Sequence, residues 1–383
     1  MSFSFSLSAE AALLRQSLRQ QIVTFSSDAP DRGAFDQLAL SVFRYQAVHN
    51  ALYRTYLQHL NCRPEQITDL HQVPFMPIGF FKNHSVLTGN SADHTTDTTN
   101  IRIFASSGTT SQNTGDNQTS RHYVPDLALY DAISIQLFEH TYGSLHDFHI
   151  LALLPSYLER NNSSLVYMVQ QFMMRSEEVR QAQTGQHESG FFLNNYAELT
   201  ERLRRLAHQS NQTKILLIGV TFGLLDWAES GQDLSFLSAL PNLVVMETGG
   251  MKGRRKELLR EEVHTLLTQQ LGIPAIHSEY GMTELLSQAY SVGEGIFQPS
   301  ATLRVFLRDI NDPFCLLPNA DNSNPGSRQT GGINVVDLGN LDSCAFIETQ
   351  DLGQYVGNEG NFRVIGRFDN SDVRGCNLMV IGH

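Results

Sequence analysis

The spacing of hydrophobic residues along the chain changes twice. Up to about Leu60, as in FDQLALSVFRYQAVHNALYRTYLQHL, apolar residues recur at the three- to four-residue spacing that predicts helices. From about Asp126 to Gln288, short β-rich runs alternate with longer helical runs. After about Phe297 the helical pattern stops, and short β-like runs follow one another between Asn, Gly, Pro and Asp residues.

The middle region has the alternation that is typical of α/β proteins. Its predicted strands are FHILALLP, TKILLIGVT and LPNLVVMET, and its predicted helices are SLVYMVQQFMM, YAELTERLRRLAHQ and RKELLREEVHTLLTQQL. This order indicates parallel strands packed by helices. We predict an α/β fold in a single domain over residues 1–383. It comprises a helical N-terminal region (1–100), an α/β core (101–296) and a β-rich C-terminal lobe with a short tail (297–383).

Charge and cysteine content narrow the class of protein. The chain has 383 residues, 41% of them hydrophobic, and a formal net charge of −12. An acidic surface does not attract nucleic acid or an anionic membrane. The N-terminus lacks the pattern of a signal peptide, and no apolar run reaches the length of a membrane span. The four cysteines lie far apart without metal-ligand spacing. We expect a cytoplasmic protein with reduced thiols, no nucleic-acid partner and no transmembrane segment.

The stretch FASSGTTSQNTG, from Phe104 to Gly115, contains mostly small or hydroxylic residues and follows a predicted strand, TNIRIFA. Hydroxyls and unobstructed backbone N–H groups in such a loop can hold phosphate oxygens. It is not the phosphate loop of ordinary ATPases, because no Lys-Ser or Lys-Thr pair follows. The alternative is an ordinary surface loop. The candidate phosphate-binding residues are Ser106, Ser107, Gly108, Thr109 and Thr110.

A second candidate stretch, HSEYGMTELLSQAY, follows a short predicted strand and leads into an apolar run that we predict to be helical. Thr283, near the start of that helix, can meet a phosphate there. Glu284 can hold a magnesium ion that bridges phosphates, and Tyr280 can stack on a purine ring. The alternative reading is an N-cap threonine, a half-exposed first-turn glutamate and a core tyrosine.

Together, these stretches resemble the motifs of the adenylate-forming superfamily, which includes acyl-CoA synthetases, firefly-type luciferases and nonribosomal adenylation domains. SSGTT is followed by YGMTE, then by TQDLGQY and VIGRFDNSDVRG, in the order of the superfamily. The resemblance implies that Asp351 takes the two ribose hydroxyls of ATP and that Arg367 also contacts the ribose. It places Gly281 beside Tyr280 in the nucleotide site. In METGGMKGRRK, Gly249 and Gly250 let the adenine approach the backbone closely.

Within the superfamily, the chain is most similar to the acyl-protein synthetases of bacterial bioluminescence. The similar stretches are VPFMPIGFFKNHSVLTG, LLPSYLERNNSSLVYMV, GGMKGRRKEL and DVRGCNLMV. Larger superfamily members continue into a mobile C-terminal domain with a catalytic lysine, and we expect that domain to be missing or vestigial here. Lys252 is a candidate to face the acyl carboxylate and the α-phosphate in its place. Alternatively, KGRRK is a solvated helix start.

The resemblance implies a two-step reaction. ATP and Mg²⁺ convert a carboxylic acid, fatty or aryl, into an acyl-adenylate. The acyl group then passes to a cysteine thiol, for which Cys376, near the C-terminal end of the sequence, is the candidate. The alternative for a lone cysteine is a small buried residue. An acyl-reductase or acyl-carrier protein is a candidate partner.

Two other functions remain open on the sequence alone. One is an aryl- or acyl-CoA ligase resembling phenylacetate-CoA ligases, and the other is a non-catalytic protein that binds nucleotides or acyl groups. His122, just beyond the first loop, is either a contact of the acyl group or an ordinary loop histidine. At helical spacing, Leu165, Met168 and Phe172 are predicted core residues rather than substrate contacts.

Overall fold

A computed structural model gives the fold of the protein. It describes residues 7–26, 32–89, 101–106, 119–155, 160–178, 188–208, 213–250, 258–318, 329–357 and 359–368.

The N-terminal region begins with helices, as its periodicity predicts. Its first three helices are α1 (Ala9–Ser26), α2 (Arg32–His49) and α3 (Ala51–His59). The N-cap of helix α3 is Asn50, whose side chain accepts a hydrogen bond from the backbone N–H of Tyr53 and so satisfies one free donor of the first turn. A two-residue strand, β1 (Met76–Pro77), and a one-turn helix, α4 (Phe80–Asn83), follow.

The central sheet orders its strands β5-β4-β6-β7-β8-β9, and only β9 runs antiparallel to its neighbour. The strands are β4 (Phe148–Leu153), β5 (Gly190–Phe191), β6 (Lys214–Gly219), β7 (Leu243–Glu247), β8 (His277–Tyr280) and β9 (Ala289–Ser291). The surrounding helices are α5 (Leu127–Tyr142), α6 (Ser164–Glu177), α7 (Tyr196–His208), α8 (Thr221–Ala228) and α9 (Arg260–Leu271).

Helices cover both faces of the central sheet. Alternate residues of β4 point to opposite sides: Ile150 belongs to the core shared with α5 and α6, whereas Leu151 belongs to the core shared with α7, α8 and α9. Met168 and Phe172 of α6 are buried in the first core, as their spacing predicts. Burial on both faces explains why the sequences of β4 and β6 are nearly continuous apolar runs. The predicted α/β fold class is therefore confirmed.

A second sheet, largely antiparallel, is built mainly from the C-terminal part of the chain. Its strands are β10 (Leu303–Arg308), β11 (Thr330–Asp337), β12 (Phe346–Val356) and β13 (Asn361–Arg367). Strand β12 pairs with β11, with β13 and, in parallel, with β1. The β-rich C-terminal sheet thus includes a strand from the N-terminal region.

A two-stranded ribbon, β2 (Arg102–Ala105) and β3 (Arg121–Val124), carries the first candidate loop between its strands. One further pair extends the ribbon, because Ser106 N donates to Ser120 O (3.0 Å) and Ser106 Oγ accepts from Ser120 N (3.1 Å). Within the described ranges, no helix is long and apolar enough to cross a membrane.

The helix predicted after YGMTE is wrong. Residues 281–288 form turns and irregular backbone between β8 and β9. The backbone N–H groups of Leu286 and Ser287 donate to Asp337 Oδ2 (2.7 and 3.0 Å) instead of to carbonyls in the preceding turn of a helix. A carboxylate from β11 therefore satisfies the donors that a helix would use.

Candidate functional site

Nine of the predicted site residues lie in the described part of the chain, and six lie outside it. The described ones are Ser106, Gly249, Gly250, Tyr280, Gly281, Thr283, Glu284, Asp351 and Arg367. Ser107, Gly108, Thr109, Thr110, Lys252 and Cys376 lie outside the described residues, and their predicted roles stay predictions.

Asp351 joins the YGMTE segment to β13. Its Oδ2 accepts a hydrogen bond from the hydroxyl of Tyr280 (2.9 Å), and its Oδ1 lies 3.1 Å from Arg367 Nε. The side chain of Asp351 is 10% exposed, whereas that of Arg367 is 65% exposed. Burial raises the pKa of Asp351, and Arg367 and the Tyr280 hydroxyl oppose that rise. The structure thus brings together three residues that lie in separate motifs of the sequence.

The Tyr280 ring is packed into the core. It is 6% exposed and contacts Phe297 and Phe362, with ring centroids 5.8 and 5.6 Å away. Its hydroxyl points out of this apolar cluster toward Asp351. In the structure this ring is a core residue, as the alternative interpretation of Tyr280 expects. Purine stacking stays a prediction.

Glu284 connects the same segment to the β2–β3 ribbon. It is 7% exposed, so the expectation of a half-exposed glutamate at a helix start is wrong. Burial raises the pKa of Glu284, and a hydrogen bond with the Ser120 side chain opposes the rise. Ser120 in turn pairs with Ser106 at the end of the ribbon. Glu284 also interacts electrostatically with Arg367 and Asp351. The two candidate motifs therefore converge on one site.

Side chains from other parts of the chain hold both carbonyl groups of the Thr283–Glu284 turn. The Thr283 carbonyl lies 3.0 Å from His122 Nδ1, and the Glu284 carbonyl accepts a hydrogen bond from Asn340 Nδ2 (2.8 Å). Together with the contacts of Asp337 that follow this turn, these bonds account for its non-helical conformation.

Asn340 and Asp337 belong to residues 337–345, which we name the corner segment because it joins β11 to β12. Asp337 begins a short 3-10 turn by accepting a hydrogen bond from Gly339 N (2.8 Å). Gln46 of α2 forms hydrogen bonds with the backbone of this segment. Its Nε2 donates to the Asn340 carbonyl (2.8 Å), and its Oε1 accepts from Ala345 N (2.9 Å). The N-terminal helices therefore support the candidate site.

His122 lies in strand β3 and is 1% exposed, so its interpretation as a loop histidine is wrong. Its ring packs edge-on against Phe81, with centroids 5.4 Å apart, and its Nε2 lies 2.9 Å from Ser343 Oγ. Burial lowers the pKa of His122 to about 4. The imidazole is therefore neutral at physiological pH.

Gly249 and Gly250 follow β7 with φ angles of +73° and +85°, which favour glycine. No atom of the described residues lies within 4 Å of a Cβ built at either position, so backbone conformation is the constraint there. Gly249 N donates to Glu247 Oε2 (2.7 Å), which fixes the turn to the end of β7. The predicted close approach of the adenine to this backbone stays a prediction.

Two buried carboxyl groups lie at the ends of neighbouring strands β7 and β8. Burial would raise the pKa of Glu247, but Arg260, whose Nε lies 3.0 Å from Glu247 Oε1, and several hydrogen bonds lower it to about 2. Burial and repulsion from Glu247 raise the pKa of Glu279 to about 8. The pair therefore holds opposite protonation states at neutral pH.

The absence of a side chain at Gly281 leaves space for the carboxyl group of Glu279. A Cβ at position 281 would clash with Glu279 Oε1, so a larger residue would displace that carboxyl group. The glycine of YGMTE thus has a packing role in the structure, and its predicted role in nucleotide binding stays a prediction.

The chemistry of these residues fits a magnesium–nucleotide complex. No group of three or more His, Cys, Asp and Glu side chains in the described ranges could hold a metal ion. Magnesium commonly binds one or two carboxylates together with substrate phosphates, and buried Glu284 beside hydroxylic Ser120 offers such a ligand set. Asp351 offers the acceptors that ribose hydroxyls need.

Three residues that organise this site, Asp337, Asn340 and Ser343 of the corner segment, were not predicted from the sequence, and His122 was predicted in a loop rather than in a strand. The stretch DLGNLDS, with its Asn, Asp and Gly residues, predicts only a turn. A cluster of polar residues directly after the apolar strand GGINVV was the available signal, because strand ends commonly carry functional groups.

The family described as acyl-protein synthetase, LuxE, matches residues 20–382 of the chain. No curated protein matches. Among solved structures, a mutant form of coronafacic acid ligase from Pectobacterium brasiliense is similar at 14% identity, over 61% of this chain and 43% of that chain, with a TM-score of 0.37. An artificially fused adenylation–PCP di-domain NRPS, NpsA-ThdA, from Klebsiella oxytoca is similar at 11% identity, over 63% and 41%, with a TM-score of 0.35.

The chain thus spans less than half the length of each of these two solved proteins, at 43% and 41%. The family match, by contrast, includes every predicted site residue, from Ser106 to Cys376. It confirms the family that the ordered motifs predicted. The chain belongs to the acyl-protein synthetase LuxE family.

Proposed function

We propose that the protein is an ATP-dependent ligase that converts a carboxylic acid into an acyl-adenylate and then transfers the acyl group to a cysteine thiol. The observation that supports this proposal best is the convergence of the motifs. Glu284 connects to the β2–β3 ribbon through Ser120, and Tyr280 connects to β12 and β13 through Asp351 and Arg367.

Seven of the nine described site residues have a direct role in the proposal. Asp351 accepts the two ribose hydroxyls of ATP, and the exposed guanidinium of Arg367 also contacts the ribose. Ser106 and the loop that follows it bind phosphate oxygens, while Thr283 also faces the phosphates. Glu284 holds Mg²⁺, which would neutralise charge on the phosphate oxygens when bound. Gly249 and Gly250 lie against the adenine.

In the first step, a carboxylate oxygen of the acid attacks the α-phosphorus of ATP. The bond from that phosphorus to the bridging oxygen breaks, and pyrophosphate leaves with the electron pair. Negative charge develops on the phosphoryl oxygens, so donors positioned there stabilise the transition state. Lys252 is our candidate for a cation beside the acyl carboxylate.

In the second step, the thiolate of Cys376 attacks the acyl carbonyl carbon. The bond between that carbon and the AMP oxygen breaks, so that AMP leaves and a thioester forms. The nearby Arg374 in the sequence would favour the thiolate by opposite charge. We propose a fatty acid as the substrate, an acyl-reductase or acyl-carrier protein as the next acceptor, and the cytoplasm as the location.

The second candidate function is an aryl- or acyl-CoA ligase. It shares the first step and differs only in the acceptor, because free CoA would replace the protein thiol. The proposed roles of Glu284 and Asp351 serve both functions, whereas a cysteine at position 376 serves only the first. In a non-catalytic protein, the buried carboxyl of Glu284 would have only a structural role, through its hydrogen bond with Ser120.

The test is the exchange of labelled pyrophosphate into ATP, measured with purified protein, Mg²⁺ and a panel of fatty and aryl acids. We expect exchange that requires both an acid and the metal, with the strongest signal from one class of acid. Exchange in the absence of every acid would indicate contamination. No exchange with any acid would contradict the ligase and favour a binding protein.

A further inference from the structure

The peptide between Thr283 and Glu284 is held by a side chain that lies far from it in sequence. The carbonyl of Thr283 can only accept a hydrogen bond, so His122 Nδ1, at 3.0 Å, must carry a proton and donate. This requirement fixes the tautomer of a neutral imidazole. The Nε2 atom is then left facing Ser343 Oγ at 2.9 Å, and the hydroxyl of Ser343 donates to it.

Ser343 is itself held in place. Its backbone carbonyl accepts hydrogen bonds from Asn50 Nδ2 (2.8 Å) and from the hydroxyl of Thr88. The neighbouring Asp342 forms a two-point ion pair with Arg15 of α1 and accepts a backbone hydrogen bond from Thr88. Three N-terminal segments therefore fix the position from which the Ser343 hydroxyl reaches His122.

We propose that His122 is a positioning residue for the Thr283–Glu284 turn, and that Ser343 orients its imidazole. This inference rests on the proposed function, because Glu284 is the group whose position matters there. His122 contacts a backbone carbonyl and not the carboxyl group. It therefore acts by fixing the direction of the peptide that carries Glu284, whose side chain is bonded to Ser120.

Two substitutions separate the two ring contacts. In His122→Asn, the amide nitrogen occupies the position of Nδ1 and can still donate to the Thr283 carbonyl. In His122→Gln, the longer amide occupies the position of Nε2, so that the bond to Ser343 can form and the bond to Thr283 is lost. A role in packing alone would treat the two amides alike, since both lose the imidazole ring beside Phe81.

The measurement is pyrophosphate exchange with the acid that gives the best wild-type signal. We expect His122→Gln to lower kcat by about tenfold, because the peptide that carries Glu284 is then no longer held in its direction. The KM for ATP should change by less than about twofold, because the proposed adenosine contacts lie at Asp351 and Arg367. His122→Asn should keep kcat within about threefold of the wild type.

Ser343→Ala provides the second arm, with Thr200→Val as its matched control. Each removes one buried hydroxyl, but that of Thr200 accepts a hydrogen bond from Trp227 Nε1 (3.1 Å), in the core shared with α7, α8 and α9. Ser343→Ala should lower kcat, and it should lower it no further in the His122→Gln background. The kcat of Thr200→Val, calculated per folded molecule, should equal that of the wild type.

The results distinguish the two proposals. A wild-type protein that exchanges pyrophosphate, with equal kcat values for His122→Asn and His122→Gln, would overturn the positioning role alone. Additive effects of Ser343→Ala and His122→Gln would also overturn it. A wild-type protein without any exchange would instead overturn the proposed function, and both amide variants would then be compared by thermal unfolding, where equal losses again contradict the specific bond to Thr283.

Discussion

Asp351 and Arg367 are direct partners across the β12–β13 ladder, and their side chains form an ion pair with Arg367 Nε 3.1 Å from Asp351 Oδ1. The antiparallel register, together with a bulge between Leu352 and Gly353, determines that these two residues face one another. Tyr280 donates to the other carboxylate oxygen from β8. A single carboxylate thus ties the end of the central sheet to the second sheet.

The first prediction concerns Asp351 as the acceptor of ribose hydroxyls. Asp351→Asn keeps an oxygen for the Tyr280 hydroxyl but removes the charge and one acceptor. We expect the KM for ATP in pyrophosphate exchange to rise about tenfold, corresponding to a lost charged hydrogen bond of about 1.4 kcal/mol or more. Glu348→Gln removes a carboxylate from the same strand and should leave the KM unchanged. Equal effects of the two substitutions would contradict a ribose contact.

The second prediction concerns Glu284 as a ligand of Mg²⁺. Glu284→Gln should lower the exchange rate by about a hundredfold or more, since a lost charge-stabilising contact is worth about 3 kcal/mol in the transition state. The free energy of unfolding in urea should stay the same or rise, because burial raises the pKa of Glu284 and disfavours its charge.

The exposed Glu201 of α7 gives a control, because its side chain is 69% exposed and Glu201→Gln removes the same charge. This variant should exchange like the wild type. If Glu284→Gln unfolds while its activity per folded molecule stays normal, Glu284 is a structural residue and not a metal ligand.

The third prediction separates an acyl-protein synthetase from a CoA ligase. Labelled acid and ATP should give a covalent acyl-protein that neutral hydroxylamine releases, as it does thioesters. Cys376→Ser should abolish the label and leave pyrophosphate exchange near normal, because adenylation precedes the thiol step. Cys315 is exposed and provides the control, since Cys315→Ser should keep the label. A label that persists without Cys376 would exclude it as the carrier, and acylated free CoA would favour the alternative function.

The fourth prediction concerns stability and pH. Burial and repulsion from Glu247 raise the pKa of Glu279 to about 8, well above the value of about 4.3 that a glutamate has in an unfolded chain. Between these values the folded protein holds a proton that the unfolded chain has released. Raising the pH through this window therefore favours unfolding.

Glu279→Gln removes this titration. Between pH 5 and pH 8, we expect the free energy of unfolding of the wild type to fall relative to the variant by about 1.4 kcal/mol for each pH unit over which the folded protein keeps this proton. Urea unfolding at several pH values measures the difference, and the Glu201→Gln profile should follow the wild type. Parallel profiles for the wild type and Glu279→Gln would show that Glu279 is ionised in the folded protein.

The sequence by itself determined the elements that depend on local pattern. The apolar runs at Phe148–Leu153 and Lys214–Gly219 are strands, and the helical runs between them are helices, because burial on both faces of a sheet and on one face of a helix leaves distinct periodicities. The order of the motifs also predicted the family, because that order can be found in the sequence without knowing how the intervening segments fold.

Only the tertiary structure decided the conformation of the segment after YGMTE. Its residues have a helical pattern, but Asp337, distant in sequence, accepts hydrogen bonds from Leu286 and Ser287 and replaces the bonds of a helix. The burial of His122 likewise depends on Ser343 and on the Thr283 carbonyl, which approach it from other parts of the chain. Local pattern predicts which bonds a segment can make with itself, whereas a buried polar group of another segment can offer better ones.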